Sequence, residues 1–357
     1  MERFWPKSKI VNYLLGFSSC GMSAFCPRLL DDIREPRVAV KKEISSPKSS
    51  ESRKSLSAEH TLAKRFLPGN ESKTVENRRK NRLNPENCTR PVALTIAGFD
   101  PGSGAGITAD LKTFAAHGLY GVACISALTV QSTQGVRAVE PLSAGLVRAT
   151  LDCLVEDVAL SGVKIGMLGT SAVAAEVASF LRAQSSKTPR DRVVLDPVLR
   201  STSGTPLIDA NGLRVIRDEL LHCVGWITPN IHELAILVGD GSETLSRDQV
   251  PAAAARLKEG NAELSVVVTG GHLGQPDDFL LTASGEQSWL PGERIATGST
   301  HGTGCAFSTA ILCGLVSGLI PKEAVASAKA YVTEALRSAY PVGKGKGPMN
   351  HLFRFDD

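Results

Sequence analysis

From Pro91 onward, apolar residues recur in two alternating periods. Val92–Ile96 (VALTI) is a short apolar run that stops at Gly98, as a strand buried on both faces would. Ile107, Leu111 and Phe114 then fall at i, i+4 and i+7, which draws one apolar stripe along a helix. The exchange repeats with a buried strand over Val122–Val130 and a helix carrying Val147, Leu151, Leu154 and Val158 on one face. A strand over Val163–Met167 precedes a helix marked by Val173, Val177 and Phe180. Arg192–Val198 predicts a strand, Leu213, Ile216 and Leu220 a helix, and Trp226–Thr228 leads into Pro229 and Asn230. Leu264–Val268 is the clearest late strand, and helices near Cys305 and Pro321 close the chain. Strands alternating with helices predict an α/β fold with a mostly parallel central sheet and helices on both faces. In such sheets ligands sit beyond the carboxyl ends of the strands.

Residues 1–90 have no sustained apolar period and are rich in Ser, Lys, Arg, Glu and Asn. Such a composition buries too little apolar surface to offset the entropy of ordering, so they are expected to form a disordered extension to a single domain over 91–357. They hold 19 Lys and Arg against 10 Asp and Glu, leaving 21 and 26 of the chain's 40 and 36 to the rest. The net charge of +4 therefore belongs to the extension, and charge gives the folded part no nucleic-acid partner. Three readings of the extension stand side by side. It can be an organellar targeting leader built on Ile10–Phe17, a nucleic-acid tail built on Arg78–Arg82, or a dispensable segment. The eight cysteines show no metal-ligand spacing and several lie in apolar runs, as suits a reducing cytosol. No run of 18 or more apolar residues predicts a membrane span.

Four motifs fall at predicted strand ends. Ala97–Gly106 (AGFDPGSGAG) places four glycines before a helix, either to bring backbone amides close to a ligand or simply to make a tight turn. His301–Cys305 (HGTGC) opens the apolar helix behind it. Gly302 and Gly304 bare main-chain N–H groups there, where a helix start favours an anion, and Cys305 on the first turn is expected to be more acidic than an ordinary thiol. Thr228–Glu233 (TPNIHE) spaces Asn230 and Glu233 either for a capping box or for a Mg²⁺ ion held through waters. Asp196, at the end of LDPV, can bind metal or cap a turn. Neither H-E-x-x-H nor G-x-S-x-G occurs, which leaves the zinc-protease and serine-hydrolase readings without their motifs.

In order, AGFDPGSGAG, ALTVQSTQGV, KIGMLG, VVLDPV, ITPNIHELAIL, VVVTGGH, THGTGC and GKGKGPMNH resemble the hydroxymethylpyrimidine/phosphomethylpyrimidine kinase family of the ribokinase-like superfamily, over nearly all of 91–357. The resemblance implies ATP-dependent phosphorylation of an aminopyrimidine alcohol and of its monophosphate for thiamine synthesis, with Mg²⁺, in a cytoplasmic homodimer. It assigns Gln131 to the amino-pyrimidine edge, with Gly98, Ala105 and Asp110 beside it and Met167 and Val198 as apolar walls. Gly302, Thr303, Gly304 and Cys305 become the anion hole, Asn230 and Glu233 the N-x-x-E magnesium motif, and Asp196 a helper to the metal. Two positions depart from the family pattern. Thr269 stands where many members carry a lysine on the ATP phosphates, for which Lys344 or Lys346 can substitute, and Phe99 replaces a small or hydroxyl residue. Pyridoxal kinase activity and a non-catalytic pyrimidine sensor are the competing functions.

Overall fold

The computed structural model describes residues 90–201, 204–239 and 244–356. The extension expected over 1–90 lies, but for Arg90, outside the described residues. Nine strands form one sheet in the order β3-β2-β1-β4-β5-β6-β7-β8-β9. They are β1 (Val92–Phe99), β2 (Tyr120–Ser132), β3 (Gly135–Pro141), β4 (Gly162–Ile165), β5 (Val193–Leu195), β6 (Trp226–Ile227), β7 (Ser265–Val268), β8 (Asp278–Leu281) and β9 (Gln287–Leu290). The six strands from β2 across to β7 run parallel, and β3, β8 and β9 pair antiparallel at the two edges. Among the described residues eight helices accompany them: α1 (Gly106–Ala116), α2 (Ala144–Asp157), α3 (Ser171–Gln184), α4 (Ala210–Asp218), α5 (Ile231–Val238), α6 (Val250–Leu257), α7 (Thr303–Val316) and α8 (Pro321–Arg337).

The period of two along each strand divides the core. Val163, Ile165, Val193, Leu195, Val266 and Val268 pack with α2 to α6, while Ala93, Val194 and Val267 pack with α1, α7 and α8. On β4 the residue between Val163 and Ile165 is Lys164, so the same alternation drives an ammonium group between the sheet and α1/α7.

The strand expected to be buried over Val122–Val130 is longer and half open. Leu128 and Val130 are exposed, because β1 pairs with β2 only as far as Leu128 and the end of β2 has β3 alone beside it. Arg192–Val198 and Val163–Met167 shorten to three- and four-residue strands, so that Asp196, Val198 and Met167 lie in loops at strand ends. Among the described residues, no helix is long and apolar enough to cross a membrane.

Candidate active site

The β1–α1 loop is tied down by one carboxylate. Asp100 accepts from the N–H groups of Gly102 (2.8 Å), Gly104 (3.1 Å) and Ala105 (2.9 Å), and Lys112 holds the Ser103 carbonyl at 2.7 Å. Burial opposes charge on Asp100, but the His301 hydrogen bond and charge together with these amides hold its pKa below the usual value. The loop then meets the start of α7. Gly302 sits at φ +80°, where a Cβ would lie 1.8 Å from the Gly104 carbonyl oxygen. Only a residue with no side chain permits that contact.

Side chains of Ser143, Thr170, Asp209 and Asn230 cap α2, α3, α4 and α5, whereas α6 and α8 begin on a proline turn and α1 and α7 on glycine-rich loops, all four without one. The first amides of α7, at Thr303, Gly304 and Cys305, are thus left to a ligand or water, with the helix dipole behind them. This is the geometry of an anion site.

Beneath that mouth lies a buried ionic cluster. Lys164 and Asp110 are both fully buried, with Nζ 3.0 Å from Oδ2 and 3.1 Å from Oδ1. Asp110 also accepts from Thr95 and Thr309, each at 2.7 Å, and Asp196 Oδ2 lies 3.9 Å from the same ammonium. Burial alone would depress the Lys164 pKa, but Asp110, Cys305 and Asp196 raise it above the ordinary lysine range. Two expectations change here. Asp110 is not a ring contact, because its carboxylate is closed off and committed to Lys164, Thr95 and Thr309. Nor is Cys305 an acidified thiol. Part of the residue's surface is open, but its sulfur is enclosed, and burial pushes the thiol up to about 12 against the pull of Lys164. Desolvation outweighs the helix dipole.

The residues expected to wall a ring gather in a small apolar cluster of their own. Met167 and Val198 pack with Ala127, Leu207 and Val139, and a Cβ on Gly98 would come 3.0 Å from the Met167 sulfur, so glycine leaves the floor flat. At its edge Gln131 Nε2 lies 3.1 Å from His301 Nε2, and Thr129 Oγ1 lies 3.2 Å from Gln131 Oε1. His301 immediately precedes the amides of Gly302–Cys305, so slot and anion mouth are neighbours. Ala105 lies at the junction as the residue before α1.

Asn230 and Glu233 form a full capping box. Asn230 Oδ1 accepts from the N–H groups of His232 and Glu233, both at 2.9 Å, and Glu233 Oε2 accepts from the Asn230 N–H at 2.9 Å. Asn230 is therefore first a helix cap, its side-chain oxygen taken up by α5. Burial, and then Asp196 alongside, raise the Glu233 pKa to about 8 although the Asn230 and Leu199 amides pull it down. Among the described residues no three His, Cys, Asp or Glu side chains gather into a metal cage. Two carboxylates that repel one another in a dry place nevertheless fit a hard cation that takes its other ligands from phosphate and water. Thr269 lies beside Asn230 through a parallel bridge, its N–H 2.9 Å from the Pro229 carbonyl oxygen.

Three members of this site, Lys164, Asp100 and His301, have no role assigned by the sequence motifs. A lone lysine inside the apolar strand GVKI was the available signal for the first.

A family model described as phosphomethylpyrimidine kinase matches residues 100–350. The chain belongs to this family. Within it, the hydroxymethylpyrimidine/phosphomethylpyrimidine kinase of Rhizobium meliloti is 40% identical over 267 residues, covering 74% of this chain and 98% of that protein. Among solved structures, the phosphomethylpyrimidine kinase of Clostridium difficile is 33% identical with a TM-score of 0.60, covering 69% of this chain and 99% of that one. An ADP complex of Bacillus subtilis pyridoxal kinase is 30% identical with a TM-score of 0.65, covering 75% and 100%. The chain is thus a kinase of the phosphomethylpyrimidine kinase family with a ribokinase-like fold, and ATP use accords with the nucleotide in the solved neighbour.

Proposed function

We propose that this kinase phosphorylates hydroxymethylpyrimidine and then its monophosphate at the site described above, for thiamine diphosphate synthesis. The observation that carries the proposal is the junction itself. Gln131 and His301 are 3.1 Å apart, and Gly104 and Gly302 are in backbone contact, so a ring held in the slot presents its substituent to the amides of α7.

Gln131 orients the ring, Met167 and Val198 exclude water from its faces, and the amides of Thr303, Gly304 and Cys305 stabilise charge that spreads over a transferring phosphoryl group. Phosphoryl transfer needs chiefly positioning and charge stabilisation, so a site without a strong base is adequate. With its thiol held protonated, Cys305 serves as a hydrogen-bond donor toward Asp196 and as a source of backbone N–H, not as a base. MgATP, when bound, supplies the phosphoryl group. Glu233 and Asp196 are the side chains suited to its metal. Thr269 brings no charge to the phosphates, but a positive group stands nearby: burial, with His232, Lys346 and Arg294, holds the His272 pKa low. Lys346 adjoins Gly347, whose carbonyl accepts from the His301 N–H at 3.0 Å, and together with Lys344 is a candidate to substitute for a lysine at 269.

Two substitutions separate the halves of the site. Cys305→Ala is expected to lower kcat at least tenfold with little change in pyrimidine affinity, and Gln131→Ala to weaken pyrimidine binding by about 1–3 kcal/mol. Steady-state kinetics with calorimetry read both. Equal loss of kcat and affinity in Cys305→Ala would remove its part in the transition state, and unchanged affinity in Gln131→Ala would empty the slot of its reader.

Glu233 predicts a pH effect. The native state holds its proton more tightly than the unfolded chain, so stability is full below about pH 4.5 and falls as pH rises toward about 8. Thermal melts without divalent cation should show that slope, and Glu233→Gln should flatten it. Parallel melting of the two proteins across this window would show that Glu233 is not the strained group.

Pyridoxal kinase activity is the second reading, favoured by the Bacillus subtilis neighbour. Comparing kcat/KM on the two heterocyclic alcohols decides it. A cytoplasmic homodimer completes the proposal, and the exposed Leu128 and Val130 beside the edge strand β3 support an interface at the open end of β2.

A further inference from the structure

Asp100, His301, Gln131 and Thr129 form a chain in which the number of available hydrogens is fixed. One ring nitrogen, His301 Nε2, lies 2.8 Å from Asp100 Oδ2 and 3.1 Å from Gln131 Nε2. One hydroxyl, on Thr129, lies 2.9 Å from the Phe99 carbonyl oxygen and 3.2 Å from Gln131 Oε1. The ring nitrogen carries at most one hydrogen, and so does the hydroxyl. A carboxylate only accepts, so Asp100 calls for a hydrogen on Nε2, which both the neutral Nε2–H form and the imidazolium provide. A carbonyl also only accepts, so the Thr129 hydrogen belongs to Phe99.

With both hydrogens placed, an amide nitrogen facing His301 would set donor against donor. An amide oxygen facing Thr129 would find no hydrogen. Both conflicts ease when the amide turns end for end, since its two ends are alike in shape but opposite in polarity. Gln131 Oε1 is then a second, more distant acceptor of the one Nε2–H that Asp100 holds at 2.8 Å, in a three-centre hydrogen bond, and its NH₂ group donates to the Thr129 oxygen.

We infer that His301, fixed by Asp100, is a positioning residue that sets the polarity of the Gln131 amide and thereby the specificity of the ring slot. Gln131 offers an acceptor on its His301 side and a donor on its Thr129 side. The complementary ligand carries an exocyclic amino group next to a ring nitrogen, which is the edge of an aminopyrimidine. A pyridine alcohol lacking that amino group leaves the acceptor with only its share of the His301 hydrogen, and the hydrogen bond forgone costs affinity. Because His301 directly precedes the first amides of α7, the contact that selects the ring also fixes the mouth where the phosphate is received.

This inference rests on the reading of Gln131 as the residue that meets the ring, and a double-mutant cycle separates the two ideas. Pyrimidine KM is measured for wild type, Gln131→Ala, His301→Ala and the double variant, with melting temperature as a check on folding. His301→Ala is expected to raise pyrimidine KM about tenfold, with a smaller change in kcat, and to narrow the preference for the aminopyrimidine alcohol over pyridoxal. His301→Gln, which can still donate, should recover part of the preference. In the Gln131→Ala background the His301 substitution should add almost nothing. Additive losses would overturn the inference while leaving Gln131 in the slot; unchanged KM in Gln131→Ala would instead overturn the underlying reading of the ring site. Should His301→Ala fail to fold, ¹⁵N NMR of the wild-type imidazole decides: a protonated Nε2 supports the assignment, and an Nδ1–H ring with bare Nε2 refutes it.

Discussion

Gly302→Ala should abolish phosphoryl transfer and destabilise the fold at once. The methyl group would be placed 1.8 Å from the Gly104 carbonyl oxygen, and the backbone at φ +80° is one that side chains rarely adopt. Forcing a side chain into such a conformation costs on the order of 1–3 kcal/mol before the collision is relieved. Relief requires the β1–α1 loop and the start of α7 to part, and that parting misaligns the amides of Thr303, Gly304 and Cys305. Loss of one well-aligned oxyanion donor typically lowers turnover by about 10²–10³-fold. Gly304→Ala is the control, because nothing lies within 4 Å of the Cβ it would add. It should melt like wild type. Turnover and thermal melts on both variants test the claim, and a Gly302→Ala enzyme with wild-type kcat would remove the anion mouth from the mechanism.

That pair of glycines also shows how far the sequence could be read. The apolar periods located α1 and α3 because each buries a repeated stripe, unbroken apolar runs located β1 and α7, and the motifs at their ends proved to be neighbours. The antiparallel edges were not legible. β3 (GVRAVEP) carries charge on its open side, and β8 and β9 are four residues each, too short for either period to declare itself. The Asn230–Glu233 cap was legible from spacing alone, since it depends on three consecutive helical residues and no distant partner. Cys305 was misread for the opposite reason. Its position at a helix start argues for an acidic thiol, but burial, and then the carboxylates of Asp196 in the β5–α4 loop and Asp110 on α1, outweigh the dipole, and these are remote in sequence. Distances between elements decide such balances, and no window along the chain contains them.

The cluster under the mouth gives the second large effect. Lys164→Met keeps much of the volume and removes the charge, leaving Asp110 and Asp196 ionised in a closed space with no cation. Breaking a buried pair from one side costs about 3–5 kcal/mol, which in a domain of this size lowers the melting temperature by roughly 10 °C. The loss should depend on pH with a definite sign. Burial already raises the Asp196 pKa and Lys164 opposes it, so without Lys164 stability is lost as pH rises and recovered as Asp196 is protonated. Melts of wild type and Lys164→Met should therefore be furthest apart at alkaline pH and approach one another as pH falls. Lys164→Met combined with Asp110→Asn removes one of the stranded charges and should recover part of the loss. Asp110 closes the pair from α1 and Thr309 reaches it from α7, so the two helices that frame the anion mouth are held together by this one buried ion. A variant that melts like wild type at pH 8 would mean that the mouth is held by the glycine contact alone.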